Sequence, residues 1–159
     1  MEDVLAFLQV GLVQAPDRLF TDGIGRAWAA ALLGRLDRPQ DDVAVVHVAG
    51  TAGKGTVASG IAAVAGRRGR RVGLHVSPHV YDLRERFTVD GAYAPPDQVV
   101  VALETVLPAV GQVAAGPHGQ PTFFEVTLAM ALVHFRAQGC DLVVLETGIG
   151  GRFDATNLV

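Results

Sequence analysis

The chain has 159 residues, half of them hydrophobic, which is enough for one domain with a sizeable core. A formal net charge of −3 gives no basis for nucleic acid or an anionic membrane as partner. Its one cysteine, Cys140, excludes an internal disulfide, and neither a basic-then-apolar leader nor a membrane-length apolar run is present, so a soluble cytoplasmic protein is expected.

Val4, Leu5, Leu8, Leu12 and Val13 recur at helical spacing and predict a first helix, with Ala15-Pro16 as its stop. Asp22 is placed to cap a second helix reaching about Leu36. Ile24, Trp28, Ala31, Leu32 and Leu36 share one face of it, and Pro39 closes it. Both helices read as packing elements, and Trp28 as core rather than a ligand-stacking ring.

Six mostly β-branched residues, Val43–Val48, predict a buried strand. The small-residue turn Ala49-Gly50-Thr51-Ala52-Gly53 follows, and a helix is expected through Ala65. A strand, a Gly-rich turn and a helix N-terminus make a phosphate cradle, because unpaired backbone N–H groups and the helix dipole both face the anion. Lys54 is placed for the β/γ-phosphates, and the Thr56 hydroxyl for Mg²⁺. The spacing departs from the usual phosphate-loop pattern. Val48 stands at the first glycine position, and Gly55 separates Lys54 from Thr56. Lys54 is the only lysine beside twelve arginines, which argues for a selected role.

Arg67-Arg68-Gly69-Arg70-Arg71 reads as a solvated helix C-terminus, where cations complement the dipole. Val72–Val76 predicts a second strand running into the loop Ser77-Pro78-His79. His75 and His79 have i,i+4 spacing, but strand and proline exclude a helical zinc pair. His47, His118 and His134 are isolated and read as structural. Asp82–Gly91 reads as a polar loop entering a strand that turns at Asp90-Gly91. Pro95-Pro96 opens a third helix to about Val113, which Pro108 is expected to shorten. Thr122-x-x-Glu125 fits a capping box for a fourth helix, with Leu128, Ala131, Leu132 and Phe135 on its apolar face. Asp141–Glu146 is a third clear strand, and its apolar run predicts burial on both faces. The Gly148–Asn157 loop is not a dinucleotide fingerprint, since Phe153 occupies the third glycine position.

Alternating strands and helices predict an α/β fold with a mainly parallel sheet flanked by helices. Ligands in such sheets gather at strand carboxyl ends, so Gly50–Thr56, Ser77–His79 and Glu146–Asn157 are expected to line one crevice. Glu146, ending a buried strand, is positioned like the metal-binding carboxylate of an NTPase.

Together Gly50-Thr51-Ala52-Gly53-Lys54-Gly55-Thr56, Ser77-Pro78-His79, Arg84-Glu85-Arg86, Thr122-Phe123-Phe124-Glu125 and Glu146-Thr147-Gly148-Ile149-Gly150-Gly151-Arg152-Phe153-Asp154-Ala155-Thr156-Asn157 resemble, in order and spacing, folylpolyglutamate synthase/dihydrofolate synthase of the Mur ligase superfamily. The resemblance implies an ATP- and Mg²⁺-dependent ligase that activates a pteroate or folate carboxylate as an acyl phosphate, which the amine of L-glutamate attacks. It implies small-molecule substrates and a monomeric full-length form. By that pattern Gly50 to Thr56 bind ATP, Lys54 and Glu146 are catalytic, and Ser77 and Glu146 hold a second Mg²⁺ near the γ-phosphate. Ser77, Pro78 and His79 lie against the pterin substrate, with Arg84 or Arg86 for its anionic end, and Arg152, Asp154 and Asn157 support the metal loop. Ala52 stands where the family has Asn.

Family members are about two or three times as long, a two-domain size. Residues 1–159 are therefore expected to be the N-terminal part of an ATP-binding domain, without the rest of that domain or the C-terminal one. Alone they are expected to expose apolar surface, bind nucleotide weakly and catalyse no ligation. Two other readings remain: a nucleotide-binding module without ligase activity, and another Mur-type acid–amino-acid ligase.

Overall fold

The computed structural model describes Ala6, Leu8, Leu12 and residues 23–158. Val4, Leu5, Val13 and Ala15-Pro16 of the first predicted helix lie outside the described residues, as does Asp22; Leu8 and Leu12 are buried. The residue that caps the next helix, α1 (Ile24–Gly34), is Gly23 in the left-handed region, with no side-chain cap bond. Trp28 is core: it is 4% exposed, and its Nε1 donates to the carbonyls of His118 and Gly119, each at 3.1 Å.

The chain continues as β1 (Ala44–Val48), α2 (Lys54–Arg67), β2 (Val72–His75), a 3-10 turn (Leu83–Arg86), β3 (Thr88–Val89) and β4 (Ala92–Tyr93). It ends with α3 (Pro96–Ala114), α4 (Phe123–Ala137) and β5 (Leu142–Glu146). The sheet order is β1-β5-β2-β3-β4. β5 runs parallel to both β1 and β2, while β3 and β4 add antiparallel pairs, so the α/β sheet is mixed. The β3–β4 turn has Asp90 and Gly91 at positive φ, as a two-residue hairpin with right-handed twist requires. Asp90 also ties the hairpin to β2, its Oδ1 accepting from Val72 N at 2.8 Å.

Side-chain alternation along β5 joins two layers. Val144 faces α2 with Val48, Ala58 and Val72. Val143 and Leu145 face the larger core of α1, α3 and α4. β5 lies between β1 and β2 and is buried on both faces, as its apolar run predicts. β1, expected to be buried, is instead an edge among the described strands, and only its last residue, Val48, is buried. Sequence could not separate the two, because both are apolar runs and strand order is set by tertiary contacts.

Two helices also depart from expectation. Pro108 lies inside α3 without shortening it. It sits on the exposed side, where the carbonyl it leaves free is one turn back at exposed Glu104, while Val99, Ala102, Leu103, Val106, Val110 and Val113 are buried opposite. α4 carries the expected capping box of Thr122 and Glu125, but every residue from Glu125 to Phe135 is buried, so its apolar surface runs all round. It is held between α1, α3 and the sheet.

Gly73 is where β2 meets α4. A Cβ there would lie 2.5–2.8 Å from the Phe135 ring. Gly73→Ala is expected to cost about 1–3 kcal/mol, because neither strand nor ring can give way. Urea unfolding measures this, and an unchanged midpoint would show that the layers are looser than described. Among the described residues no helix is long and apolar enough to cross a membrane.

Candidate functional site

The turn after β1 delivers the chain into α2 through Gly53, whose φ of 73° is left-handed and suits glycine. Nothing caps this helix through a side chain. Its first N–H groups, at Lys54, Gly55 and Thr56, have no intrahelical acceptor, and the positive end of the dipole lies among them. Gly50, Thr51, Ala52 and Gly53 are exposed, and Lys54 is half-buried. The Lys54 stem folds back beside Gly50, where a Cβ would lie 3.6 Å from its Cγ. Among the described residues no carboxylate pairs with its ammonium.

β5 ends at Glu146, which is 6% exposed. Its Oε2 accepts from Ser77 N at 2.9 Å. The same carboxylate rests against Gly55: a Cβ there would be 3.3 Å from Oε2 and 3.5 Å from Oε1. The start of α2, the turn after β2 and the end of β5 therefore meet at one point. The absent side chain of Gly55 leaves room for the carboxylate at the helix start. Among the described residues no group of three or more His, Cys, Asp or Glu is placed to hold a metal ion. The candidate donors are one carboxylate and the hydroxyls of Thr56 and Ser77, hard oxygens that suit Mg²⁺ and leave positions for water and phosphate.

Beside this point opens a cavity of about 700 Å³. Ser77, Pro78 and Arg86 form one side, Phe123, Phe124 and Glu125 another, and the Gly148–Ala155 loop a third. Arg86 is 6% exposed, with its guanidinium 5.0 Å from the Phe123 ring centre and its Nε donating to His79 Nδ1 at 2.9 Å. Arg84 turns elsewhere: it pairs with Asp82 at 2.6 Å, lies over Tyr93 and does not line the cavity. Of the two arginines nominated for an anionic group, the fold brings Arg86 to the cavity and not Arg84. Burial, with the Arg86 charge, lowers the pKa of His79. His75 is wholly buried, donates to the Arg86 carbonyl through Nδ1 at 2.9 Å, and burial brings its pKa down to about 4.

The loop after β5 is built around Asp154. Its Oδ2 accepts from Ile149 N and its Oδ1 from Thr156 N, both at 2.9 Å, and Oδ1 also takes the Thr156 hydroxyl. His47 Nε2 lies 2.7 Å from that hydroxyl and donates to it, since the hydroxyl's own proton goes to Asp154. Asn157 Nδ2 donates to the Arg152 carbonyl at 3.0 Å. Arg152 enters this network only through that carbonyl, its side chain lying over Phe153.

Sequence reasoning used Thr122–Glu125 as a helix cap and passed over Phe123, Phe124 and Glu125 as cavity lining. Two aromatics and an acid at a helix start, after a Gly/Pro loop, are the signal that could have nominated them. Burial pushes the Glu125 carboxyl up to about 7. A carboxyl protonated in the fold and ionised when unfolded contributes stability at low pH, lost as pH rises from about 4.3 to 7. His75 acts oppositely, since its depressed pKa removes stability as pH falls from about 6.5 to 4. Glu125→Gln keeps the cap, so its stability is expected to rise with pH up to 6.5 and then stay level, where the parent chain still declines toward 7. Denaturant titrations at several pH values read this. Identical profiles for both chains would mean that Glu125 titrates normally.

No protein-family profile matches the chain. A curated relative in Halobacterium salinarum, described as a probable bifunctional folylpolyglutamate synthase/dihydropteroate synthase, is 43% identical over 136 residues, 85% of this chain and 17% of the relative. The dihydrofolate synthase/folylpolyglutamate synthase of Bacillus subtilis is 36% identical over 138 residues, 86% of this chain and 32% of the relative. Among solved structures, the folylpolyglutamate synthase of Thermotoga maritima superposes with a TM-score of 0.88 at 35% identity, covering 99% of this chain and 35% of that one. A folylpolyglutamate synthase complex with AMPPCP and folate matches at 0.88 and 31% identity, covering 99% and 37%. The chain thus spans about a third or less of the proteins it matches. Sequence motifs, sheet order and these likenesses agree: the chain belongs to the folylpolyglutamate synthase/dihydrofolate synthase family.

Proposed function

We propose that residues 1–159 form the N-terminal part of the ATP-binding domain of a cytoplasmic, monomeric ligase. It joins L-glutamate to the carboxylate of a folate or dihydropteroate through an acyl phosphate. The observation that carries this reading is the meeting of three elements: the α2 N-terminus, Ser77 on Glu146, and a 700 Å³ aromatic-lined cavity opening beside them. Nucleotide phosphates bind the N–H groups of Gly50 to Thr56, and the Lys54 ammonium reaches the β/γ-phosphates. A Mg²⁺ held by Thr56, Ser77 and Glu146 would neutralise charge on the transferred phosphoryl group. The flat pteroyl ring enters the cavity between Phe123, Phe124 and the Asp154 loop, with Ser77, Pro78, His79 and Arg86 at its mouth. Asp154 and Asn157 hold that loop in shape. One carboxylate oxygen then bonds to the γ-phosphorus, the bond to the bridging oxygen breaks, and ADP leaves with the electron pair. A carboxylate is a poor electrophile until this exchange gives it a phosphate leaving group.

Equilibrium titration with AMPPCP and Mg²⁺, and separately with pteroate, tests the reading. Saturable binding of both is expected. Nucleotide binding without pteroate binding would favour a nucleotide module or another Mur-type ligase, and no nucleotide binding by a cooperatively folded chain would refute the phosphate cradle.

A further inference from the structure

The loop after β5 is tied to β1 at three successive residues. Thr156 Oγ1 lies 2.7 Å from His47 Nε2, and Thr147 N donates to the Val48 carbonyl at 3.0 Å. Gly151 packs on Ala49, where a Cβ at the glycine would lie 3.8 Å from the Ala49 Cβ. His47, Val48 and Ala49 are the last residues before the phosphate turn opens at Gly50. The other side of the same loop, from Gly148 to Ala155, walls the cavity. One segment therefore borders both candidate ligand sites.

The tie at Val48 is a backbone bond that many side chains would permit. The tie at His47 depends on side-chain chemistry. The imidazole Nε2–H donates to the Thr156 hydroxyl, that hydroxyl donates to Asp154 Oδ1, and Asp154 Oδ2 accepts from Ile149 N at 2.9 Å. Burial lowers the His47 pKa, which keeps the ring neutral with its single proton at Nε2. Gly148 sits between this relay and the cavity with no room to shift: a Cβ there would lie 2.8 Å from the Phe124 ring and 3.2 Å from Asp154 Oδ2. The relay thus runs unbroken from β1 to the cavity wall, and a chain of bonded side chains with one end at each site can carry energetic coupling. Gly148, Gly150 and Gly151 make the loop costly to order, since glycine loses the most freedom. A ligand that orders the loop spares a second ligand that cost, provided loop and β1 move as one.

We propose that His47 is a positioning residue: through Thr156 and Asp154 it locks the cavity loop to the strand that feeds the phosphate turn, so that the occupant of the cavity and the nucleotide raise each other's affinity. This rests on the pteroyl reading of the cavity for one of the two ligands.

The test measures the affinity for AMPPCP and Mg²⁺ with and without saturating pteroate, on the parent chain and on His47→Leu, His47→Gln and Thr156→Val. In the parent, pteroate is expected to raise nucleotide affinity about fivefold or more. In His47→Leu and Thr156→Val that factor is expected to fall to within about twofold of unity, while each ligand alone binds within about threefold of the parent. His47→Gln puts an amide N–H near the ring Nε2 position and is expected to restore most of the factor. A histidine that only stabilises the fold would instead lower both affinities together with the melting temperature and leave the factor intact. A factor that survives in either His47→Leu or Thr156→Val overturns the proposal, as does a parent factor within about twofold of unity. If pteroate does not bind the parent, the pteroyl reading falls, and amide hydrogen exchange with AMPPCP alone decides for His47. Exchange of the Ile149 and Thr156 N–H groups slowed about tenfold by the nucleotide in the parent, and not in His47→Leu, upholds the relay; equal slowing in both chains, or none in the parent, overturns it.

Discussion

Lys54→Ala is expected to weaken binding of AMPPCP and Mg²⁺ by about 10- to 100-fold while leaving the melting temperature within about 2 °C of the parent. The two halves of this expectation have separate causes. Lys54 is half-buried at the first position of α2 and pairs with no carboxylate among the described residues, so the folded state loses little when the ammonium is removed. Alanine is also the best helix former, which favours α2 slightly. The nucleotide loses the Lys54 ammonium, leaving the backbone N–H groups and the helix dipole to hold the phosphates. The effect on phosphoryl transfer in a protein spanning the length of the relatives should be larger still, about 10²- to 10³-fold, because negative charge on the transferred group is stabilised most at the transition state. Calorimetry with the non-hydrolysable analogue reads the first effect. Affinity within twofold of the parent would mean that Lys54 is an ordinary surface lysine and that the turn binds no phosphate.

Removing Glu146 should damage both fold and site, and two substitutions separate these effects. In Glu146→Ala the Ser77 N–H loses its acceptor, and the Arg86 guanidinium loses the largest negative charge acting on it. The first loss leaves a part-buried N–H without its acceptor, and Glu146→Ala is expected to cost about 1–3 kcal/mol. Glu146→Gln keeps an oxygen for Ser77 N and a side chain of the same shape, so it should recover much of that stability. It should not recover the metal response. A neutral amide is a much weaker Mg²⁺ ligand than a carboxylate. Nucleotide affinity in Glu146→Gln is expected to become insensitive to Mg²⁺ between micromolar and millimolar, where the parent responds. A full Mg²⁺ response in Glu146→Gln would remove Glu146 from the metal site. A complex with Mg²⁺ and AMPPCP should show Glu146 and Ser77 side-chain oxygens on one ion at about 2.1 Å. Separations beyond about 6 Å would exclude a shared ion.

Much of this site is legible in local sequence because its parts are local devices. A strand, a small-residue turn and a helix start lie consecutively from Val43 to Thr56, and their order alone points to a phosphate. The Thr122–Glu125 cap spans four residues, and the spacing that identifies it is the spacing that makes its hydrogen bonds. Asp90-Gly91 turns a hairpin because those two residues tolerate positive φ. Burial of β5 follows from its unbroken apolar run. In each case the interacting groups are a few residues apart, so spacing in sequence stands for distance in space.

Tertiary structure decided whatever depends on which distant segments become neighbours. Val43–Val48 and Leu142–Glu146 read alike, yet the second lies between two parallel strands and the first at the edge of the described sheet. Arg84 and Arg86 stand two residues apart with the same chemistry. A capping aspartate holds one, while the close of the 3-10 turn carries the other onto Phe123, thirty-seven residues away in sequence, and so into the cavity. Phe123 and Phe124 became cavity walls only when the α4 start was set against the Gly148–Ala155 loop. Pro108 was tolerated because it fell on the exposed side of a helix anchored by seven buried residues. The chain's own residues specify which groups are able to bind phosphate, metal and a flat ring. Sheet order and helix packing select among chemically equivalent residues, because a nonlocal contact is stabilised by burial shared between segments that no single stretch of sequence contains.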